Sequence, residues 1–344
     1  MHQMSQLLRR TFSRPESITV LILIAAFVVS AMLSEYFLDA RFLLDSTSLY
    51  MEIGVLALAM TLIIISGNID LSVASGLALV GVVAGVLHLR VGMPMGAVIP
   101  LSIITGMLLG LFNGLLVARL GLPSLTVTLG TLALYRGVAH ILVGEHSLGG
   151  FPEWFVGLDY RWIGGVVPMP LVIFLVVAVL FALVLHGTTF GRCVYALGTN
   201  EAAARFSGIR VGMVKTAVFV IAGLMMGIAA MMMTSRLGVA RYDSAFGGEL
   251  LVITAVVLGG TDIFGGRGSI FGTVMALLLL GLLQRGMGVA NITAEKQLAV
   301  TGTLLVAAVI VTNLMGRLGP GRNAARSAPP PGFAIETQGD PNHA

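Results

Sequence analysis

The chain has 344 residues, of which 57% are hydrophobic and only 10% charged, with a mean hydropathy of +0.97. Soluble domains carry about a quarter charged residues, so this balance excludes an ordinary soluble fold and points to a polytopic membrane protein. The formal net charge is +4, but the excess Lys and Arg lie in short loops and at the two ends, which does not suggest nucleic acid.

About twenty apolar residues span a bilayer as a helix. That ruler predicts ten spans, at 17–34, 51–66, 71–89, 94–117, 124–143, 168–186, 214–234, 247–260, 269–284 and 297–314. The expected fold is therefore an all-α, polytopic membrane helix bundle of about ten transmembrane helices. It occupies residues 17–314, between a cytoplasmic segment 1–16 and a disordered cytoplasmic tail 315–344 that contains Pro329-Pro330-Pro331. The first span reads as an uncleaved anchor, because its one passable cleavage site, Val29-Ser30-Ala31, lies inside the apolar run. Segments 1–16 and 187–213 each carry net +2, whereas 35–50 and 144–167 each carry net −2. The positive-inside rule then places both ends and the 187–213 loop in the cytoplasm, with Arg90, Arg236, Arg241 and Arg285 as exceptions.

Taken in chain order, four polar features interrupt the apolar background. Ser66-Gly-Asn-Ile-Asp-Leu-Ser72 puts Asn68 and Asp70 between two apolar runs. Irregular backbone at membrane depth is tolerated only inside protein or along a cavity, so these groups either face a polar path or form a tight turn that caps the next helix. Arg136 lies within the fifth span without an acidic neighbour in sequence. An intramembrane arginine is costly and faces a bundle interior or an aqueous cavity, unless it snorkels to the interface. Asn68, Asp70 and Arg136 are expected to share one polar interior.

The third feature is the polar stretch Gly187–Val214, which holds a short helix with its own signals. Asn200 can cap it, Glu201 sits in the first turn, Glu201 and Arg205 are spaced i,i+4, and Gly208 can end it. A capped helix of about two turns in a cytoplasmic loop is built to be presented to something. Fourth is Leu258-Gly-Gly-Thr-Asp-Ile-Phe-Gly-Gly-Arg-Gly-Ser269, where Asp262 and Arg267 are expected to bridge locally across the glycine turn. Gly67, Asp70 and Gly76 recur at an offset of 192 as Gly259, Asp262 and Gly268, a faint internal echo.

No enzyme constellation emerges. There is no His-Glu-x-x-His, no Gly-x-Ser-x-Gly elbow and no Walker loop, and the six His are scattered singly. The single Cys193 excludes an internal disulfide, and with no activating partner to place beside it reads as a small structural residue. No metal, cofactor or catalytic residue is expected. If the chain moves a solute by ATP, another subunit supplies the hydrolysis.

A series of motifs now carries a resemblance that covers roughly residues 15–314. Ser66-Gly-Asn-Ile-Asp-Leu-Ser-Val resembles the Gly-Gly-Ile-Asp-Leu-Ser-Val-Gly signature of ABC-transporter monosaccharide permeases, with Asn68 where that family more often has Gly. Phe112-Asn-Gly, Pro123-Ser-Leu-Thr-Val-Thr-Leu-Gly-Thr, Tyr135-Arg-Gly, the run from Gly191 to Ile209 and the run from Thr254 to Ser269 follow in the same order. The chain is thus similar to the ribose-type branch of the branched-chain amino acid and sugar permease superfamily, among permeases for autoinducer-2 or rhamnose.

The resemblance implies two permease subunits, identical or homologous, that enclose one path in a bacterial inner membrane. Two cytoplasmic ATP-binding subunits would drive it, and a periplasmic solute-binding protein would deliver a sugar or sugar-like solute. Asn68, Asp70, Asn113, Thr128 and Arg136 are the candidate translocation path. Gly198, Thr199, Asn200, Glu201, Ala203, Ala204, Arg205, Ser207 and Gly208 fall in what looks like the family's ATPase coupling segment. The competing reading is an ion-coupled secondary transporter of a small polar solute, for which only Asp70 and Arg136 qualify as coupling charges.

Overall fold

The computed structural model describes residues 15–33 and 35–318. The helices are α1 (Pro15–Leu33), α2 (Ala40–Thr47), α3 (Met51–Ile65), α4 (Val73–Gly85, continued by a π turn over Val86–Arg90), α5 (Met95–Ala118) and α6 (Ser124–Val143). After a short α7 (Glu153–Val156) come α8 (Met169–Gly187), α9 (Thr189–Thr199), α10 (Glu201–Phe206) and α11 (Val211–Leu237). The series closes with α12 (Gly248–Leu258), α13 (Ile270–Val289) and α14 (Ala294–Leu318). Two antiparallel pairs of two-residue strands complete it: β1 (Leu148–Gly149) with β4 (Val239–Ala240), and β2 (Trp162–Ile163) with β3 (Val167–Pro168).

This is the expected all-α membrane bundle. Among the described residues six helices are long and apolar enough to cross a bilayer, or seven if α2 and α3, bent by 57° at their junction, form one span. The sequence ruler predicts ten. Helix α12, with eleven residues, is shorter than that ruler asks. The end of α14 takes the ordered chain a few residues into the segment predicted as tail, and residues 319–344 lie outside the described residues.

Helix α3 is the centre. Every one of its residues is buried, and so is almost all of α4, because other helices pack around both on every side. Val, Leu, Ile and Ala dominate both, and their few polar side chains, Glu52, Thr61 and Ser75, form no polar face, as a helix buried all round requires. The most extensive contact in the bundle joins α5 and α11. Gly106, Gly110 and Gly114 on α5 meet Phe219, Gly223 and Gly227 on α11, and a methyl on Gly223 would collide with the Gly106 carbonyl. Small residues spaced four apart let two backbones touch, which in lipid is a principal source of helix association.

The ends of the bundle differ. At one end lie α9, α10, the α3–α4 turn and the 259–269 turn. At the other lie the strand pairs and an ion pair of the buried Glu52, in the first turn of α3, with Arg236 in the last turn of α11. Asp159, in the loop after α7, is buried near that pair. Burial pushes its carboxyl up to about 6, against the pull of Arg236 and with a further push from Asp45.

Two outcomes are expected. Gly223→Val should destabilise the bundle by roughly 1–3 kcal/mol through overpacking, whereas Gly130→Val, on an open face of α6, should leave its thermal unfolding unchanged. Because the folded carboxyl of Asp159 holds its proton more tightly than a free Asp, its contribution to stability is present at low pH and lost as pH rises through about 6. Thermal melts from pH 4 to 7.5 should show that component in the wild type and lack it in Asp159→Asn.

Candidate functional site

The α3–α4 turn closes with complete backbone accounting. Ser66 N donates to Leu62 O, Asn68 N to Ile63 O and Gly67 N to Ile64 O, at 3.0, 3.1 and 2.9 Å. With Gly67 at φ +77°, this is a Schellman ending, which needs a residue free to take the left-handed conformation. The last carbonyl, Ile65 O, accepts from a distant donor, Gly266 N, at 2.8 Å.

The polar side chains of the turn are spent within the protein. Asp70 Oδ1 accepts from Ser72 N at 2.8 Å and from Ser72 Oγ at 2.6 Å, an Asx-type turn rather than a helix cap. Asn113 Nδ2 on α5 donates to Ser72 Oγ at 2.8 Å, and Tyr135 Oη on α6 donates to Asn113 Oδ1 at 3.2 Å. From the start of α6, Ser124 Oγ accepts from Ile69 N at 3.2 Å and Thr128 Oγ1 donates to Ile69 O at 3.3 Å. Asn68 Nδ2 donates back to Ser66 O and Oγ at 3.2 and 3.0 Å. Asp70 Oδ2 is buried without a partner.

Four of the five predicted path residues therefore meet in one buried node: Asn68, Asp70, Asn113 and Thr128. Arg136 does not join them. It lies about two turns beyond Thr128 along α6, where its guanidinium donates to Tyr242 O and Ser244 O at 2.6 and 2.8 Å and sits 5.7 Å from the Phe246 ring centre. The expected shared interior is two separate places, because α6 carries Thr128 and Arg136 about 12 Å apart along its axis. Ser72 belongs to the polar stretch singled out in sequence, whereas Ser124 and Tyr135 do not stand out there, since their partners are on other elements.

The coupling segment is richer than one helix. Asn200 Oδ1 accepts from Ala203 N at 3.0 Å and starts α10, and Gly208, at φ +82°, ends it. Glu201 is 3.4 Å from Arg205 but only 2.7 Å from Lys215 Nζ, so α10 is pinned to α11. Ala204 is buried with Leu197 and Val211, whereas Ala203 and Phe206 face out, the latter 93% exposed. Ahead of α10 lies an amphipathic helix the sequence reading left as loop, α9, capped by Thr188 Oγ1 accepting from Gly191 N at 3.2 Å.

Helix α9 brings the coupling segment to the node. At Gly198 its backbone abuts Ile65 and Gly266 so closely that a Cβ would strike the Ile65 carbonyl. A Cβ on Gly265 would lie 2.8 Å from Gly67 Cα, so the 259–269 turn wedges between the two. In that turn the expected ion pair of Asp262 with Arg267 is not made. Instead Asp262 N donates to Arg267 O at 3.0 Å, and Asp262 Oδ1 accepts from Phe264 N at 3.0 Å, leaving Arg267 exposed. The internal echo has a structural content. Helix α12 also ends in a Schellman turn, at Gly260 rather than Gly259, and Asp262 repeats the Asx turn of Asp70.

A model of the branched-chain amino acid transport system permease component matches residues 42–309. The chain belongs to this permease family. Among its relatives, the autoinducer 2 import system permease protein LsrD of Enterobacter sp. (strain 638) is 38% identical over 307 residues, 87% of this chain and 93% of that one. LsrD of Klebsiella pneumoniae subsp. pneumoniae is 39% identical over 307 residues, 87% and 91% of the two chains. LsrD of Yersinia enterocolitica is 39% identical over 279 residues, 79% and 84%. No solved structure matches. The permease is thus a membrane transport component, and the matched segment contains both the node and the coupling segment.

The junction of three backbones sets a sharp expectation. Gly198→Ala should uncouple the permease or prevent its folding, since neither Ile65 O nor Gly266 N can move without breaking their hydrogen bond. Gly187→Ala, where a Cβ meets nothing within 4 Å, should be silent. Purified yield and solute uptake, measured for both variants, check this.

Proposed function

We propose that this permease is the membrane subunit of a binding-protein-dependent ABC importer for a sugar-like solute of the autoinducer-2 class. The names of its relatives support the solute class. Its partners in this reading are cytoplasmic ATP-binding subunits, a second permease subunit and a periplasmic solute-binding protein. It sits in a bacterial inner membrane with both termini cytoplasmic, as the loop charges favour.

The observation that carries the coupling half of the proposal is the surface around α10. Phe206 and Phe264, 93% and 72% exposed, stand at the same end of the bundle among exposed Arg192, Arg205, Arg210 and Arg267. Large exposed aromatics ringed by arginines suit a protein interface whose other side is acidic and grooved. A push on α10 has a short route inward: through Asn200 to α9, and through Gly198 to Ile65 O and the α3–α4 turn. Packed cores respond to such a push by switching between arrangements rather than by bending.

In this scheme Asn68, Asp70, Asn113 and Thr128 hold the turn that receives the push, and any contact they make with solute comes when the turn rearranges. Ala203, Arg205, Ser207 and Gly208 belong to the presented surface. Ala204 faces inward, so its substitution probes the folding of α10 rather than docking.

Reconstituted with its ATP-binding subunits, second permease subunit and binding protein, the wild type should show solute-stimulated ATP hydrolysis. Phe206→Ala should weaken docking by about 2 kcal/mol, as removal of an interface anchor does, and Ala203→Arg should abolish stimulation outright. Both variants should insert and melt normally. Undiminished stimulation in both would refute the docking assignment, and uptake by the chain alone on an imposed proton or sodium gradient would refute the ABC reading.

A further inference from the structure

A cavity of about 470 Å³ opens between α1, α2 and α13, away from both the node and the coupling surface. Its volume falls in the range of small-molecule sites, roughly 300–1,000 Å³. The walls are apolar: Leu23 and Phe27 from α1, Leu43 from α2, Leu277 and Leu282 from α13. Of the three hydroxyls on the lining, Ser46 Oγ donates to Phe42 O and Thr47 Oγ1 to Leu44 O, each at 2.6 Å, and the third belongs to Tyr50. The mouth lies among residues that face outward, with Ile24 56% and Phe27 37% exposed. On a membrane helix such residues meet acyl chains, so the cavity opens to the bilayer.

One cation on the lining, Arg285 in the last turns of α13, has no counter-ion among the described residues. Its guanidinium sits 4.6 Å from the centre of the Phe42 ring. Stacking on Phe42 occupies the flat face of the fork and leaves its N–H edge free for an acceptor. Its Nε is buried without a hydrogen-bond partner. A buried unpaired guanidinium donor is costly, and an anionic oxygen that reaches it relieves that cost through a charge-assisted bond.

We propose that this cavity is a binding site for an anionic phospholipid, with one acyl chain lying along α1 and α13 and the headgroup phosphate on Arg285. Apolar walls open to the bilayer select a lipid over a water-soluble ligand. The unpaired cation on the lining selects an anionic headgroup over a zwitterionic one, because a net negative headgroup offers it a charge-assisted bond without a competing cation. The bound chain fills the space left between α1, α2 and α13 where these helices do not touch.

The test is native mass spectrometry of the full chain released from bilayers of equal phosphatidylglycerol and phosphatidylcholine. The wild type should retain phosphatidylglycerol with roughly a fivefold preference, the worth of one basic contact to an anionic lipid. Arg285→Gln should bring the preference close to unity, and Arg285→Lys should keep most of it. Leu282→Trp, which fills the cavity, should reduce retention of both lipids. Equal retention by the wild type, or an undiminished preference in Arg285→Gln, overturns the proposal. So does a disulfide between two copies through a cysteine at Ile24 in a background lacking Cys193, which would seat a second copy on this face instead.

Discussion

The hydrogen bond from Gly266 N to Ile65 O is the contact on which the rest of the structure depends. Helix α3 stops inside protein, where no water can satisfy its last carbonyls, and an orphaned carbonyl there is as costly as a lost hydrogen bond. Three of the four are closed locally by the Schellman turn at Gly67. The fourth cannot be, so a second turn must come to it, and that turn must approach backbone to backbone. Hence Gly265 and Gly266 on one side and Gly198 on the other: any side chain at these positions would hold the three strands of backbone apart. The requirement of one carbonyl fixes the docking of α9, the placing of the 259–269 turn and the burial of the node behind them.

The same economy governs the body of the bundle. Lipid offers no hydrophobic driving force between helices, so association rests on close contact, and α5 and α11 obtain it through three glycines on one helix and two on the other. That pair is rigid because neither backbone has room to slide past the other. The three-glycine junction near Gly198 is close-packed too, but it joins short helices and turns rather than long spans, and it is anchored by few hydrogen bonds. In the proposed scheme, motion applied at α10 would reach the junction and the α3–α4 turn behind it before it reached the α5–α11 seam, to which Asn113 ties that turn.

Much of this was legible in the sequence, and what was not shares one cause. Apolar runs of near-bilayer length locate the long helices within a few residues, since a span must be both continuous and apolar. The cap at Asn200 and the stop at Gly208 are local chemistry and can be read directly. By contrast, α9 was hidden because its apolar residues Val194 and Leu197 are too few to stand out beside true spans. Asp262 and Arg267 look like a pair in sequence, yet the turn between them directs the Asp carboxylate to the Phe264 amide instead. The grouping of Asp70 with Asn113 rather than Arg136 depends on which helix packs where. The bonds from Asn113 to Ser72 and from Tyr135 to Asn113 decide it, and neither leaves a trace in spacing.

The separation of Arg136 from the node bears on how a path can run. Asn68, Asp70, Asn113 and Thr128 are each buried, three of them completely, and each is held by partners inside the protein, Asp70 and Asn113 through Ser72. Side chains enclosed in this way inside one subunit meet a solute only if the turn they hold comes apart. Arg136 is half-buried, and the carbonyls it binds belong to the loop between β4 and α12 at the far end of the bundle. Opening at that end would free the guanidinium without disturbing the node, and opening at the α10 end would disturb the node without reaching Arg136. In the proposed importer, two polar sites about 12 Å apart along α6, each held by its own loop, would let one loop move while the other stays closed, as alternating access requires.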